Sequence, residues 1–488
     1  MYDFFKQIAQ KNYCKSNGVC SVHPSINSLH ELLLNEAREI ANYIVKLKEF
    51  QITSDKYTCF LVDILSIHLI NTSFSESDYL KIIKKLHQYK LDIKEKYLEF
   101  CKSNKLPCEI INTDFNLNDL TTISELIKFS EENITNRQKG CDKRKFRLFE
   151  LITIFVRLCA INIVKIKKIN PEFNLFDFEL VRFFALTNGY TIRNEKIIRR
   201  IKEFSNTAFE IRKKLSFLLR DKYGNMENTD IKIYSKKGHC ILVSGEDFDE
   251  LENILNLLEK YKTSDKINVY THGELILAHF YPFFKNNKFL AGHWGKNDTE
   301  YDFSTFPGAI FMTQNFNQKI DNLYKGELFS SKLISFKKVY PIKDGDYTPV
   351  INSALKLEGF NKDEKEKIYN PNNTTDKIEE LLEKFNENEL VIIAGNVNSD
   401  FEERYKGKTI INISFPYDVE VLMHIIKKCI QKNIKLTLFF TQCNKTSLES
   451  LLILINSNIK IAFTDCSYAL INPHVTEALK NDFNIIII

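Results

Sequence analysis

The densest group of side chains able to do chemistry lies in the segment Tyr270-Thr271-His272-Gly273-Glu274, which is followed by His279. Glu274 could bind iron through its carboxylate oxygens, and His272 or His279 could bind it through a ring nitrogen. The alternative is structural, because Glu274 could stabilise the start of a helix through the helix dipole while the histidines pack. The segment therefore predicts either a metal site or a capped helix start.

Eleven cysteines are a second set of candidate ligands. The sequence contains no Cys-x-x-Cys motif, and an odd number of cysteines leaves at least one thiol free. Cys443 and Cys466 both follow predicted strands. They are either a thiol pair or two unrelated thiols. On predicted helices, a cysteine is usually a small buried residue, and this role is expected for Cys59, Cys101, Cys159 and Cys429.

The composition of the 488 residues excludes several classes of protein. Hydrophobic residues make up 44% and charged residues 27%, as in globular proteins with several domains. The formal net charge is only +5, which gives no support for a nucleic-acid or anionic-membrane partner. We find no secretory signal and no run of apolar residues long enough to span a bilayer, so a cytoplasmic location is expected.

The candidate ligands must be positioned by elements of two kinds. Apolar residues at helical spacing dominate the first 220 residues, and Asn27 or Ser28 is the expected N-cap of the first helix. Short apolar runs then alternate with helices, which predicts parallel sheets covered by helices. We expect a helical bundle at residues 1–222 and two Rossmann-like α/β domains at residues 223–365 and 366–488. In such sheets, ligands bind where the strands end.

The segment at 270–274 is also where the chain resembles a known family. With Ala278-His279 and Tyr281-Pro282, it is similar to the signature of the hybrid cluster proteins, also called prismane proteins or hydroxylamine reductases. The resemblance spans the whole chain and is most specific at residues 238–360. Further similar segments are residues 18–20, 29–50, 238–255, 306–315 and 451–488.

The resemblance implies two iron–sulfur cofactors. The family has an N-terminal cubane cluster, and a hybrid iron–sulfur–oxygen cluster that reduces hydroxylamine or nitric oxide. Cys14 and Cys20 match two of the cubane ligands and are the candidate cofactor-binding residues, but Asp3 and Lys6 stand where the first pair of cysteines should be. Four thiolates normally hold such a cluster, so two hold it poorly.

The hybrid-cluster positions depart further from the family pattern. Glu274 matches a glutamate ligand of the family and is the candidate catalytic residue. Phe316 replaces a cysteine ligand, and its benzyl group offers iron no donor atom. Other positions also differ from the family pattern. Glu246 replaces the histidine ligand, and the persulfide-bearing cysteine of the family falls in the region of Asn396. Thr441 and Cys443 replace the closing glutamate and lysine.

Three functions remain open from the sequence. The first is a degenerate family member with no intact cluster, which binds a protein partner or forms a homo-oligomer. Phe316 and neighbouring aromatic residues would then fill the cluster cavity. The second is a reductase-type enzyme with a residual iron–sulfur cluster, or with one or two iron or manganese ions held by Glu246 and Glu274 together with His272, His279 or His293. The third is a redox-responsive thiol protein, using Cys14 with Cys20 or Cys443 with Cys466.

Overall fold

A computed structural model describes most of the chain as two compact units. The first unit comprises residues 24–67, 76–218 and 437–487, and the second comprises residues 219–436. Within these limits the described residues are 24–67, 76–108, 122–227, 229–261, 266–295, 299–313, 324–331, 339–364, 367–369, 389–394, 409–413, 419–440, 445–457, 459–463, 473–483 and 485–487.

The described chain up to Tyr223 is helical, as the apolar spacing predicts. The α-helices are α1 (Pro24–Glu49), α2 (Asp55–Leu65), α3 (Glu76–Ser103), α4 (Ile123–Gly140), α5 (Lys143–Ile169), α6 (Asp177–Ala185) and α7 (Asn194–Tyr223). The expected N-cap of α1 at Asn27 or Ser28 is wrong, because the helix already begins at Pro24. Proline fits the first turn of a helix, where its missing N–H has no partner to lose.

Helix α1 is the centre of the first unit, in contact with α2, α3, α4 and α6. Its apolar face is buried, as Leu33 and Ile40 illustrate. The same helix buries the carboxylate of Glu36, which accepts hydrogen bonds from His87 at 2.9 Å and from Lys90 at 2.7 Å. These bonds offset the cost of burying the carboxylate.

The second unit contains a six-stranded parallel sheet and a separate antiparallel pair of strands. The elements of the second unit up to residue 369 are β1 (Ile231–Ile233), β2 (His239–Ser244), α8 (Phe248–Lys260), β3 (Ile267–His272), a 3₁₀ helix (Gly273–Phe280), α9 (Pro282–Lys285), β4 (Leu290–His293), α10 (Thr299–Ser304), β5 (Ala309–Met312), β6 (Leu328–Ser330), β7 (Val339–Pro341), α11 (Thr348–Lys356) and β8 (Lys367–Tyr369). The strand order in the parallel sheet is β4-β3-β2-β5-β6-β7, and β1 pairs with β8.

Both faces of the six-stranded sheet are buried. Ile241 and Val243 of β2 pack on one face in a core that includes residues of α8 and α11. Cys240 and Leu242 pack on the other face with Phe303 and neighbouring aromatic residues. Successive side chains of a strand point to opposite faces, so a continuous apolar run such as Cys240–Val243 indicates a strand buried on both sides.

The C-terminal region again alternates strands and helices. Its elements are β9 (Glu389–Ala394), β10 (Thr409–Ile413), α12 (Val419–Gln431), β11 (Lys435–Phe440), α13 (Lys445–Leu454), β12 (Lys460–Phe463), α14 (Pro473–Phe483) and β13 (Ile486–Ile487). Strand β10 pairs in parallel with β9, and β12 pairs in parallel with β11 and β13. The predicted fold class, helical followed by parallel α/β, is confirmed. The three-domain division at residues 222 and 365 stays a prediction.

Candidate functional site

Four neighbouring strands, β2 to β5, end at one edge of the six-stranded sheet. The register places Ser244 beside His272 and Thr271 beside His293. Carboxyl ends of parallel strands meet at the same edge, so the polar side chains there come together. We call this group the carboxyl-edge network, and all of its members are at most 8% exposed: Ser244, Thr271, His272, His279, His293 and Asp302.

Ser244, His272 and Asp302 form the first hydrogen-bonded chain of the network. His272 Nδ1 lies 2.6 Å from Ser244 Oγ, and its Nε2 lies 3.4 Å from Asp302 Oδ2. With His272 Nε2 as the donor to the Asp302 carboxylate, Nδ1 shares a hydrogen bond with the Ser244 hydroxyl, which can donate or accept. Both ring nitrogens of His272 are therefore used within the protein.

Thr271 joins two further histidines in a second chain. Its Oγ1 lies 2.9 Å from His279 Nε2 and 2.9 Å from His293 Nδ1. One hydroxyl has one hydrogen, so Thr271 donates to one neutral ring and accepts from the other. Burial lowers the pKa of His279 to about 4. Burial, and then the nearby rings of His272 and His279, lower the pKa of His293 well below its usual range. Both rings are neutral at pH 7.

Gly295 leaves the space that the hydrogen-bonded chain of Ser244, His272 and Asp302 requires. Its φ is +121°, in the region that favours glycine. A Cβ at this position would lie 2.7 Å from Asp302 Oδ2 and 2.7 Å from His272 Cδ2. Any other residue would therefore push apart the imidazole and the carboxylate.

The two glutamates proposed as metal ligands lie on neighbouring segments at this edge. Glu246 follows β2 and Glu274 follows β3, and both are partly buried. The two segments are joined because the Leu275 N–H donates to the Gly245 carbonyl at 2.8 Å. Both glutamates have partners within the protein. Glu274 lies in the first turn of the 3₁₀ helix, the position that the helix-start interpretation requires.

Thr313, directly after β5, holds the beginning of α8. Its Oγ1 accepts from the backbone N–H of Glu246 at 3.1 Å and of Asp247 at 3.4 Å. Its own N–H donates to the Ser244 carbonyl at 2.8 Å. Asp247 is the N-cap residue, but its side chain makes no capping bond, so Thr313 satisfies backbone donors that the local sequence leaves unpaired.

The donor atoms of the carboxyl-edge network do not fit an iron–sulfur cluster. The carboxyl-edge network contains imidazole nitrogens and oxygens already bonded to one another, and it contains no thiol. Within the described ranges, no group of three or more His, Cys, Asp or Glu side chains is arranged to hold a metal ion. The arrangement can orient and exchange protons along two short hydrogen-bonded chains.

Comparison with known proteins identifies the family. A model described as the Prismane/CO dehydrogenase family matches residues 7–450. This chain belongs to the Prismane/CO dehydrogenase family. The resemblance to the prismane proteins is therefore confirmed, and members of this family normally bind iron–sulfur clusters.

Several curated relatives are named hydroxylamine reductase. The protein from Thermodesulfovibrio yellowstonii is 28% identical over 378 residues, which cover 75% of this chain and 66% of the relative. The protein from Gloeothece citriformis is 27% identical over 380 residues, which cover 73% of this chain and 65% of the relative. This chain thus spans about two thirds of the length of the relatives it matches. Carbon monoxide dehydrogenase IV from Carboxydothermus hydrogenoformans matches with a TM-score of 0.48 and 10% identity, covering 99% of this chain and 92% of that one.

Several predicted site residues lie outside the described part of the chain. Among the cysteines that are described, Cys101, Cys159 and Cys429 are buried as expected, but Cys59 is exposed, so the prediction for Cys59 is wrong. Its helix turns that position away from the core. The cluster-ligand positions outside the described residues are Asp3, Lys6, Cys14, Cys20, Phe316, Asn396, Thr441 and Cys443, together with Cys466 of the proposed thiol pair.

Three of the six residues of the carboxyl-edge network were not predicted from the sequence. Ser244 and Thr271 could have been found, because both lie at the ends of predicted strands where ligands gather. Asp302 gives no such signal, since it lies on the short helix α10 and reaches His272 only through the tertiary fold. The assignment of Glu274, Glu246 and His272 as metal ligands stays a prediction.

No helix among the described residues has both the length and the apolar character needed to cross a membrane.

Proposed function

We propose that this chain keeps the fold of the hydroxylamine reductase family but has lost the hybrid cluster and the reductase activity, and that it acts by binding a protein partner or a second copy of itself. The main support is the carboxyl-edge network, in which imidazole and carboxylate groups bind one another where the sheet would present ligands. A cluster there would require donor atoms that are not already paired.

The sequence gives independent support for this proposal. Phe316 and Asn396 stand at or near positions where the resemblance requires thiolates, and neither side chain replaces a thiolate as an iron ligand. Lys6 and Asp3 likewise stand at two cubane positions. The substitutions affect both clusters, which is expected when selection for the redox centre has ended.

The deciding experiment is anaerobic purification of the full chain, followed by measurement of iron, acid-labile sulfide and the visible spectrum. Hydroxylamine turnover with a reduced viologen donor is assayed on the same sample. The reductase from Thermodesulfovibrio yellowstonii, purified in parallel, is the positive control. We expect a folded, colourless protein without turnover. A brown protein with several irons per chain would overturn the proposal.

The rebuilt metal centre at Glu246 and Glu274 is tested in the same preparation. If iron binds there, Glu246→Gln and Glu274→Gln should each lower the iron content. Under the proposed function, both variants leave the metal content unchanged. Light scattering of the purified chain then distinguishes a homo-oligomer from a monomer that awaits a different partner.

A further inference from the structure

A cysteine and a lysine side chain are in contact where three helices of the first unit pack together. Cys59 lies on α2, Lys167 lies on α5 and Asp177 begins α6, and each of these helices contacts the other two. Lys167 Nζ lies 3.4 Å from Cys59 Sγ and 2.5 Å from Asp177 Oδ2. The lysine nitrogen therefore contacts both a sulfur and a carboxylate oxygen.

The two partners of Lys167 differ in their exposure to solvent. Cys59 is exposed, so a dissolved oxidant can reach its sulfur. The side chains of Lys167 and Asp177 are only 14% and 5% exposed. Asp177 Oδ1 has no hydrogen-bond partner among the described residues, and burial raises the pKa of this carboxyl. Asp177 is therefore placed to accept a proton from the Lys167 ammonium group.

We propose that Cys59 and Lys167 form a reversible covalent bridge through one oxygen atom, with molecular oxygen as the oxidant. The sulfur of Cys59 bonds to one oxygen atom, and its proton moves to the other, which gives a sulfur hydroperoxide. The Lys167 ammonium passes a proton to Asp177, and the resulting amine attacks the sulfur-bound oxygen. A nitrogen–oxygen bond forms, the oxygen–oxygen bond breaks, and the hydroxide leaves with a second nitrogen proton as water.

The atoms and electrons of this reaction balance. One thiol, one neutral amine and one molecule of oxygen give one sulfur–oxygen–nitrogen bridge and one water. Sulfur and nitrogen each lose two electrons, and these four electrons reduce both oxygen atoms. The product is a cross-link between α2 and α5.

The distance between the reacting atoms favours a bridge over a direct bond. At 3.4 Å, the sulfur and the nitrogen are too far apart to bond to each other, but a small approach lets one oxygen bond to both. Rotation of the exposed Cys59 side chain supplies this approach, while the ion pair with Asp177 holds Lys167 in place. The bridge also removes the positive charge from beside Asp177, because a nitrogen bonded to oxygen is a weak base.

The test uses the native full-length chain, purified anaerobically and then divided. One half is exposed to air and the other stays anaerobic, and both are denatured, digested with trypsin and analysed by mass spectrometry. Trypsin does not cleave after a modified lysine, so the bridge joins peptide 57–81 to peptide 166–168. We expect the joined peptides only in the air-exposed half, with the mass of both peptides plus one oxygen and minus two hydrogens. Dithiothreitol should separate them.

Variants test whether the amine itself is required. Lys167→Arg keeps a cation beside Cys59 and Asp177, but the guanidinium stays protonated and does not attack. We expect the joined peptides to be lost in Lys167→Arg and in Cys59→Ser. Cys108→Ser removes another exposed thiol and should leave the joined peptides at the wild-type amount. Circular dichroism confirms that each variant is folded.

Three results with the air-exposed wild-type chain would overturn the proposal. The first is Cys59 recovered as a free thiol. The second is Cys59 recovered as a sulfinic acid or as a disulfide, without joined peptides. The third is a joined mass that lacks the added oxygen, which would show a direct sulfur–nitrogen bond.

Discussion

Burial of an uncharged imidazole makes His279 sensitive to acid. Its pKa is about 4 in the folded chain because burial opposes protonation, against about 6.5 in the unfolded chain. Between these values the unfolded state binds more protons, so stability is complete above pH 6.5 and falls as the pH drops towards 4. The full difference corresponds to about 3 kcal/mol for this one ring.

The pH dependence gives a prediction for His279→Gln. Urea unfolding of the wild-type chain should show a free energy of unfolding that decreases from pH 7.5 to pH 5, and the variant should show a shallower decrease. The variant should also be less stable at pH 7.5, because Thr271 loses an imidazole partner. His424→Gln, a histidine on α12 outside the network, serves as the control and should keep the wild-type slope. Equal slopes in all three proteins would contradict the assignment.

Substitutions at Gly295 and Gly345 together test the hydrogen bond between His272 and Asp302, with Gly345 as the control position. Both have positive φ, +121° and +72° respectively, but a Cβ at Gly345 would meet nothing within 4 Å. We expect Gly345→Ala to cost about 1 kcal/mol, the conformational penalty alone. Gly295→Ala should cost at least about 2 kcal/mol, because it also separates His272 from Asp302. Thermal unfolding measures both, and similar losses would show that the steric contact is unimportant.

At the scale of elements, the start of α8 depends on a residue far away in sequence. Thr313→Val removes the oxygen that accepts from the N–H groups of Glu246 and Asp247, with little change of shape. We expect a loss of about 1–2 kcal/mol. Amide hydrogen exchange at residues 246–249 should become faster. Thr313→Ser restores the hydroxyl and should recover slow exchange, and a failure to recover it would assign the effect to packing.

Helices and strands that are long and have a regular apolar pattern are predicted more accurately than short ones. The sequence alone predicts a strand at Thr409–Ile413 and a helix at Val419–Gln431, and β10 and α12 have these bounds because each has a sustained apolar pattern. Strands β4, β6 and β7 were missed because they have only three or four residues and little apolar alternation. They are strands because the neighbouring strand offers backbone partners, and a sequence window does not contain that information.

The candidate site was predicted less completely than the fold, for a related reason. His272 and Glu274 lie two residues apart in sequence, so one segment indicated both. Asp302 and Thr313 take part through backbone geometry and tertiary approach. A prediction from strand ends finds the edge where side chains meet, but it does not show that those side chains will satisfy one another.

At the scale of the whole molecule, the proposed loss of function is distributed along the chain. The resemblance places missing or changed ligands at Asp3, Lys6, Glu246, Phe316 and the region of Asn396. Glu246 follows β2 and Glu274 lies in the 3₁₀ helix after β3; Leu275 donates its N–H to the Gly245 carbonyl, and Glu246 donates its N–H to Thr313 Oγ1. A fold can keep its apolar core through such changes, because burial of the core and provision of ligands depend on different residues.

This distribution predicts that restoring two ligands will not restore the metal centre. We expect Phe316→Cys combined with Asn396→Cys to bind less than about one iron per chain after anaerobic reconstitution with iron and sulfide, because the cluster needs more donors than two added thiolates. The reductase from Thermodesulfovibrio yellowstonii, stripped and reconstituted in the same way, is the control for the procedure. Iron, sulfide and the visible spectrum are the measurements. A brown double variant with stoichiometric iron and sulfide would mean that the remaining ligands are still in place, and that the loss is confined to two positions.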